Sequence, residues 1–252
     1  MAKSKQANPK QGSPLVEAIF ELRWNLPQAV PNTPPIDPNY KLLVGRLYDK
    51  LLPEYSFHEP QPASAMPEEI AAGIIQHRFR KAENDWPLVQ IGPGIFTVND
   101  TTKYEWNDFK KRTLNAVRSL YESYSTSKAV DVNSLVLRYV NVVEFDFSED
   151  IIEYLRNELN LDVKLSESVI NNENLVSNPT AIDFKFAFKC NNPKGIVQLN
   201  FSNGKKKDKD GLVWNLIFIS NKENLPNMTD GLEEWLENTN KILNDLFTSL
   251  KK

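Results

Sequence analysis

The feature that most constrains this chain is a strict two-residue alternation near its start. Val16, Ala18, Phe20, Leu22 and Trp24 fall on one face of an extended segment, and Glu17, Ile19, Glu21 and Arg23 fall on the other. Side chains in a strand point alternately to opposite faces, so this pattern predicts a strand with one face in a core. Similar runs recur at Ser134–Phe147, Ile182–Lys189, Ile196–Asn203 and Leu212–Ser220. Strands that alternate in this way belong to antiparallel sheets packed on one side.

Helical spacing appears between these runs. Tyr40, Leu43, Val44, Leu47, Leu51 and Leu52 predict a helix over residues 38–52, with Asp37 as its cap and Pro38 at its first position. A second helix is expected from about Lys103 to Tyr124, and a short one over Ser148–Leu159 capped by Ser148. The clearest helix is the last. Leu232, Trp235, Leu236, Leu243, Leu246 and Leu250 share its inner stripe, with Thr229 or Asp230 as the expected cap. Proline-rich stretches at 27–38 and 53–68 read as loops. Two further strands are expected at about 71–81 and 87–98, with Gly92-Pro93-Gly94 as a tight turn or bulge.

The expected fold class is therefore α+β, with a mainly antiparallel sheet and helices packed on it. Residues 14–147 order as β-α-β-β-α-β, the ferredoxin-like unit. Residues 148–252 form a second half, an antiparallel meander followed by the long terminal helix, closely packed on the first. Residues 1–13 are polar, lack apolar periodicity and read as a disordered tail.

Composition narrows function mainly by exclusion. The net charge is −3 and the isoelectric point about 5.6, so no global attraction to nucleic acid or an anionic membrane is expected. One cysteine, Cys190, cannot form a disulfide within the chain, and the polar N-terminus lacks the apolar run of a signal peptide. The expected location is cytoplasmic, with no membrane contact. The two histidines, His58 and His77, have no metal-ligand spacing, and no zinc-type set is visible. There is no phosphate-binding loop, dinucleotide fingerprint or nucleophile elbow. No catalytic residue, metal or cofactor is therefore expected.

Three polar groupings remain. The first is a row on strand faces: Glu17, Glu21 and Arg23 on the first strand, and Arg138 on the long strand, where Glu17 or Glu21 is expected to meet Arg138 across the sheet. Asn141 belongs to the same candidate ligand- or partner-binding set. The second is Lys205, Lys206, Lys207 and Lys209 in a hairpin loop, a candidate nucleic-acid contact. The third is Asp183 with Lys185 on one strand face, which reads as a solvated face rather than a hydrolytic centre.

The run Pro14-Leu15-Val16-Glu17-Ala18-Ile19-Phe20-Glu21-Leu22-Arg23 resembles the opening motif P-L-x-E-A-I-F-E-[IL]-R of a sporadically distributed family of uncharacterised bacterial proteins. Leu88–Gly92, the spacing Tyr104, Trp106, Phe109, and Leu137-Arg138-Tyr139-Val140-Asn141 also look like that family. The resemblance covers about residues 14–145 and implies no established activity. It does imply the patchy distribution seen for anti-phage defence genes. The leading expectation is a non-enzymatic binding or sensor/adaptor subunit of a bacterial complex, with a protein partner or a second copy of itself. The alternatives are an RNA- or DNA-binding module and a hydrolase with an unfamiliar carboxylate site.

Overall fold

The structure is a computed structural model that describes residues 14–28, 34–101, 103–124, 130–175 and 178–251. The expected tail at 1–13 lies outside the described residues. The chain is α+β. Its strands are β1 (Leu15–Trp24), β2 (Phe57–Pro60), β3 (His77–Arg80), β4 (Leu88–Gly92), β5 (Ile95–Asp100), β6 (Val132–Glu144), β7 (Asp183–Asn191), β8 (Lys194–Lys206) and β9 (Lys209–Asn221). Its helices are α1 (Tyr40–Leu51), α2 (Trp106–Ser123), α3 (Ile151–Glu158), the four-residue α4 (Glu167–Ile170) and α5 (Leu232–Leu250). Among the described residues, these nine strands form one sheet in the order β2-β3-β4-β5-β1-β6-β9-β8-β7. Every neighbouring pair is antiparallel.

The alternation in β1 sets the two faces of this sheet. Ala18, Phe20, Leu22 and Trp24 are buried on the inner face. The register carries that face to Phe96 and Val98 on β5, to Leu135 and Leu137 on β6, and to Leu216 and Phe218 on β9. Helices α1, α2 and α5 lie on this side. Trp235 of α5 packs edge-on against Phe20 of β1 and Phe218 of β9, and its indole N–H donates to Ser220 Oγ at 2.9 Å. One side chain thus joins elements from both ends of the chain. A second link is polar: Tyr139 Oη donates to Asn240 Oδ1 and exchanges a bond with Tyr104 Oη. The opposite, outer face of the central strands faces away from these helices.

Several boundaries differ from the sequence reading. Four strands, not two, lie between α1 and α2. The expected 53–68 loop contains β2, which tolerates Pro60 because the strand is at the sheet edge and needs hydrogen bonds on one side only. The expected strand 71–81 is reduced to His77–Arg80, since Gly73 takes φ +73° in a turn that ends extended pairing. The expected strand 87–98 is two strands, because Pro93 and Gly94, the latter at φ +78°, reverse the chain. Gly92-Pro93-Gly94 is the tight turn read from sequence.

Three helix caps also differ. Asn39, not Asp37, precedes α1; Asp37 instead accepts the Asn39 N–H and the Tyr124 hydroxyl, fixing the approach to the helix. Asp150, not Ser148, caps α3 through the Ile152 and Glu153 N–H groups, and Gly231 precedes α5. The two C-terminal hairpins are tighter than expected. Lys207 and Asp208 alone separate β8 from β9. No helix among the described residues is long and apolar enough to cross a membrane.

Candidate functional site

The outer face of the central strands carries the predicted polar row. Register puts Glu21 beside Thr97 and Val136, and Ile19 beside Asn99 and Arg138. Residues directly opposite in an antiparallel sheet share a face. Glu17, Glu21, Arg23 and Arg138 therefore lie on one surface, as the alternation predicts.

Their partners differ from the expectation. Glu21 is bound by its own neighbour on the strand face, with Arg23 Nε at 2.6 Å from Glu21 Oε1. Glu17 accepts a bond from Asn99 Nδ2 at 2.7 Å. Neither carboxylate meets Arg138. The cause is competition: Arg23 is two residues from Glu21 on the same face, and Asn99 reaches Glu17 from the strand on the other side. Asn141 is also displaced from the set. Its register partner is Trp214, it is fully buried, and it lies on the helix side of β6, because 138 and 141 differ by an odd number in a strand.

A longer hydrogen-bonded chain runs away from Glu17 across five strands. Glu59 on β2 holds Arg80 Nε at 2.7 Å and lies 3.6 Å from Arg78 on β3. Arg78 Nε donates to Gln90 Oε1 on β4 at 2.8 Å. Gln90 Nε2 donates to Thr97 Oγ1 and Asn99 Oδ1 on β5, each at 3.1 Å, and Asn99 passes the chain to Glu17 on β1. The Arg80 guanidinium, with Gln61, holds the Glu59 carboxyl below the usual carboxylate range. Thr97 and Asn99 are buried beneath the longer side chains around them.

The chain stops at β1. Arg138, one strand further, is partly buried between Ile19 and Ile217, with Val136 and Val140 before and after it on its own strand. Among the described residues its guanidinium has no ion pair, and Nε is buried with no hydrogen-bond acceptor. Two strands beyond, Asn200 Oδ1 on the same face is likewise buried without a partner. Glu17 and Glu21 lie diagonally beside Arg138 on β1 but are bound by Asn99 and Arg23, so this guanidinium, with five donors and no acceptor, keeps the capacity to bind an anionic group. At the end of β1, Arg23 lines a cleft of about 280 Å³ with Gly73, Gly94 and Asn133.

A second grouping was not anticipated. His58 Nε2 and His77 Nδ1 are 3.0 Å apart on the edge strand β2 and its neighbour β3. The Tyr48 and Phe79 rings stack beside them. One imidazole donates and the other accepts, so a single proton lies between His58 Nε2 and His77 Nδ1. Burial lowers both pKa values, and for His77 the neighbouring imidazole lowers it further. His77 also borders a cleft of about 380 Å³ with Tyr40, Glu68 and Gln76. The pairing was hidden because β2 reads as a proline-rich loop and the two residues are 19 apart. The Thr97-x-Asn99 repeat, by contrast, was a legible sign of polar groups aligned on one strand face.

The lysine group sits at the β8–β9 tip. Lys206 opposes Lys209, Lys205 opposes Asp210, and Lys209 Nζ binds Glu144 Oε2 at 2.8 Å. Asp183 and Lys185 share the outer face of β7, and Cys190 lies on its inner side with Lys189 on the other. Among the described residues, no three His, Cys, Asp or Glu side chains are grouped to hold a metal ion. No protein-family model matches the chain, and no curated protein matches it either.

Proposed function

We propose that this protein is a binding or sensor/adaptor subunit of a bacterial complex, of the kind that serves anti-phage defence, and that the outer sheet face recognises an acidic segment of a protein partner. The observation that carries this reading is Arg138. Every other arginine of the row, Arg23, Arg78 and Arg80, is neutralised by a carboxylate or held by an amide. Arg138 alone in that row has, among the described residues, no bonded partner, and the carboxylates diagonally beside it, Glu17 and Glu21, are each bound elsewhere. Leaving the buried Arg138 Nε without an acceptor costs about 1 kcal/mol, and a carboxylate from outside offsets that cost. The resemblance of the β1 segment to a patchily distributed bacterial family supports the defence context and a cytoplasmic setting. The strand order β4-β5-β1-β6, with α1 and α2 as crossovers, supports reading this part as a ferredoxin-like unit extended at both edges.

The test is copurification of the partner from the native host with wild-type protein and two variants. Arg138→Met removes the charge at similar volume, and Arg138→Lys keeps the charge but loses the planar fork. Loss of the partner with Arg138→Met, and partial retention with Arg138→Lys, is the expected outcome. Full retention in both removes the proposal.

A nucleic-acid reading has one observation in its favour. Lys209, bonded to Glu144, and to a smaller degree Lys206 and Lys207 hold that carboxyl below its usual range, so the tip gathers positive charge. Against it, the outer faces of β1, β5, β6 and β9 carry no aromatic side chain on which a base could stack. Binding of labelled RNA at low salt that is lost when Lys205, Lys206 and Lys207 are changed to Ser would favour this second reading.

A further inference from the structure

Among the described residues, β7 ends the sheet: it pairs with β8 on one side and with no strand on the other. The opposite edge strand, β2, is four residues long and ends in Pro60, whereas β7 offers nine residues of open backbone and contains no proline. Its inner face is a row of Phe184, Phe186 and Phe188, and Phe188 is 54% exposed. Its outer face reads Asp183, Lys185, Ala187, Lys189. A long, apolar, unpaired edge is a template for another strand unless something blocks it.

The charges on β7 disfavour two of the central two-fold registers and favour the one between them. Consider two copies related by a two-fold axis, so that the strands pair antiparallel. An axis at Lys185 sets that lysine against itself. An axis at Ala187 sets Lys185 against Lys189. An axis at Phe186 does the opposite: Asp183 of each copy meets Lys189 of the other, twice, while Lys185 faces Ala187. In that same register Phe184 faces Phe188 and Phe186 faces Phe186, so the two phenylalanine rows become one apolar strip on the helix side.

We propose that β7 is a homodimer interface in which two copies pair antiparallel about Phe186, extending two nine-stranded sheets into one continuous sheet. A two-fold contact of this type uses both edges and closes, so it yields a dimer and not a fibre. The proposal is independent of the Arg138 reading, which concerns the middle of the sheet.

Sedimentation velocity on the full chain tests it with four proteins: wild type, Asp183→Lys, Lys189→Asp and the double exchange carrying both. Each single change turns both cross-strand pairs into like-charge contacts, and all four side chains involved are exposed, so folding is retained. The expected result is a wild-type dimer, at least about tenfold weaker dimerisation in each single variant, and recovery in the double exchange. A monomeric wild type across the micromolar range overturns the proposal. So does a dimer indifferent to the single changes, which would place the contact elsewhere, and so does a double exchange that stays monomeric. Hydrogen exchange supplies a second reading: amides of Asp183–Lys189 become protected as the protein is concentrated, and equal exchange at all concentrations contradicts the pairing.

Discussion

At the scale of single residues, two groups have consequences that separate function from stability. Arg138 has no partner to lose, so its removal costs little of the fold. Arg138→Met is expected to change the unfolding free energy by no more than about 1 kcal/mol, in the stabilising direction if it changes, since an unpaired buried donor is replaced by an apolar group. Urea unfolding checks this; a loss above about 2 kcal/mol would mean the guanidinium has a structural partner. The histidine pair has the opposite character. Burial lowers both imidazole pKa values, so the unfolded chain binds protons more readily than the fold near the ordinary histidine value. The histidine contribution to stability is therefore level above pH of about 6.5, falls as the pH drops from there toward the lowered pKa values of the folded state, and levels off below them. Thermal unfolding between pH 7.5 and 5.5 is expected to show this fall in the wild type and a shallower one in His77→Gln. Equal slopes would mean the pair is no harder to protonate in the fold than outside it.

At the scale of elements, legibility in the sequence tracked how completely one face of each element is buried. The pattern in β1 gave both its faces, because Ala18, Phe20, Leu22 and Trp24 all enter the core and the residues between them do not. The α5 stripe was equally clear, since Leu232, Trp235, Leu236 and Leu243 are all covered by the sheet. The edge strand β2 and its neighbour β3 were hard to read because each has four residues, too few for a period to show, and prolines surround the first. Of the candidate site, the shared face of Glu17, Glu21, Arg23 and Arg138 followed from strand parity. The pairings did not, because they depend on which strand lies beside β1, and Asn99 enters from a strand read as part of a longer one. Asn141, a member of the same candidate set, lies on the other face, as the same parity rule requires. The β8–β9 turn carries a prediction of its own. Lys207 sits at φ +58°, which costs a non-glycine residue about 1 kcal/mol. Replacing Lys207-Asp208 with Asn-Gly, residues that favour this hairpin turn, is expected to stabilise the protein by about that amount in chemical denaturation. A destabilisation would mean the lysine side chain holds the tip in place.

At the scale of the whole molecule, the governing fact is that segments from both ends of the chain build one sheet. β1 and β6 sit at its centre, β9 joins β6, and α5 returns from the C-terminus to cover β1 and β9 together. Unfolding is therefore expected to be a single transition seen alike by fluorescence and circular dichroism. Trp235→Ala, which removes the ring between Phe20 and Phe218, should cost about 3–5 kcal/mol. Two separated transitions would indicate halves that fold independently. This arrangement also divides the molecule's labour: helices seal one face of the sheet, and the other is left with an ordered polar chain that ends beside an arginine with no bonded partner among the described residues. A photo-crosslinking residue placed at Val140 on the open face, and separately at Leu42 on the exposed side of α1, tests that division most directly in the native host. The account predicts that Val140 captures a partner, that Arg138→Met lowers the yield at least about tenfold, and that Leu42 captures none of it. Capture from Leu42 instead, or a yield from Val140 that ignores Arg138, would contradict it.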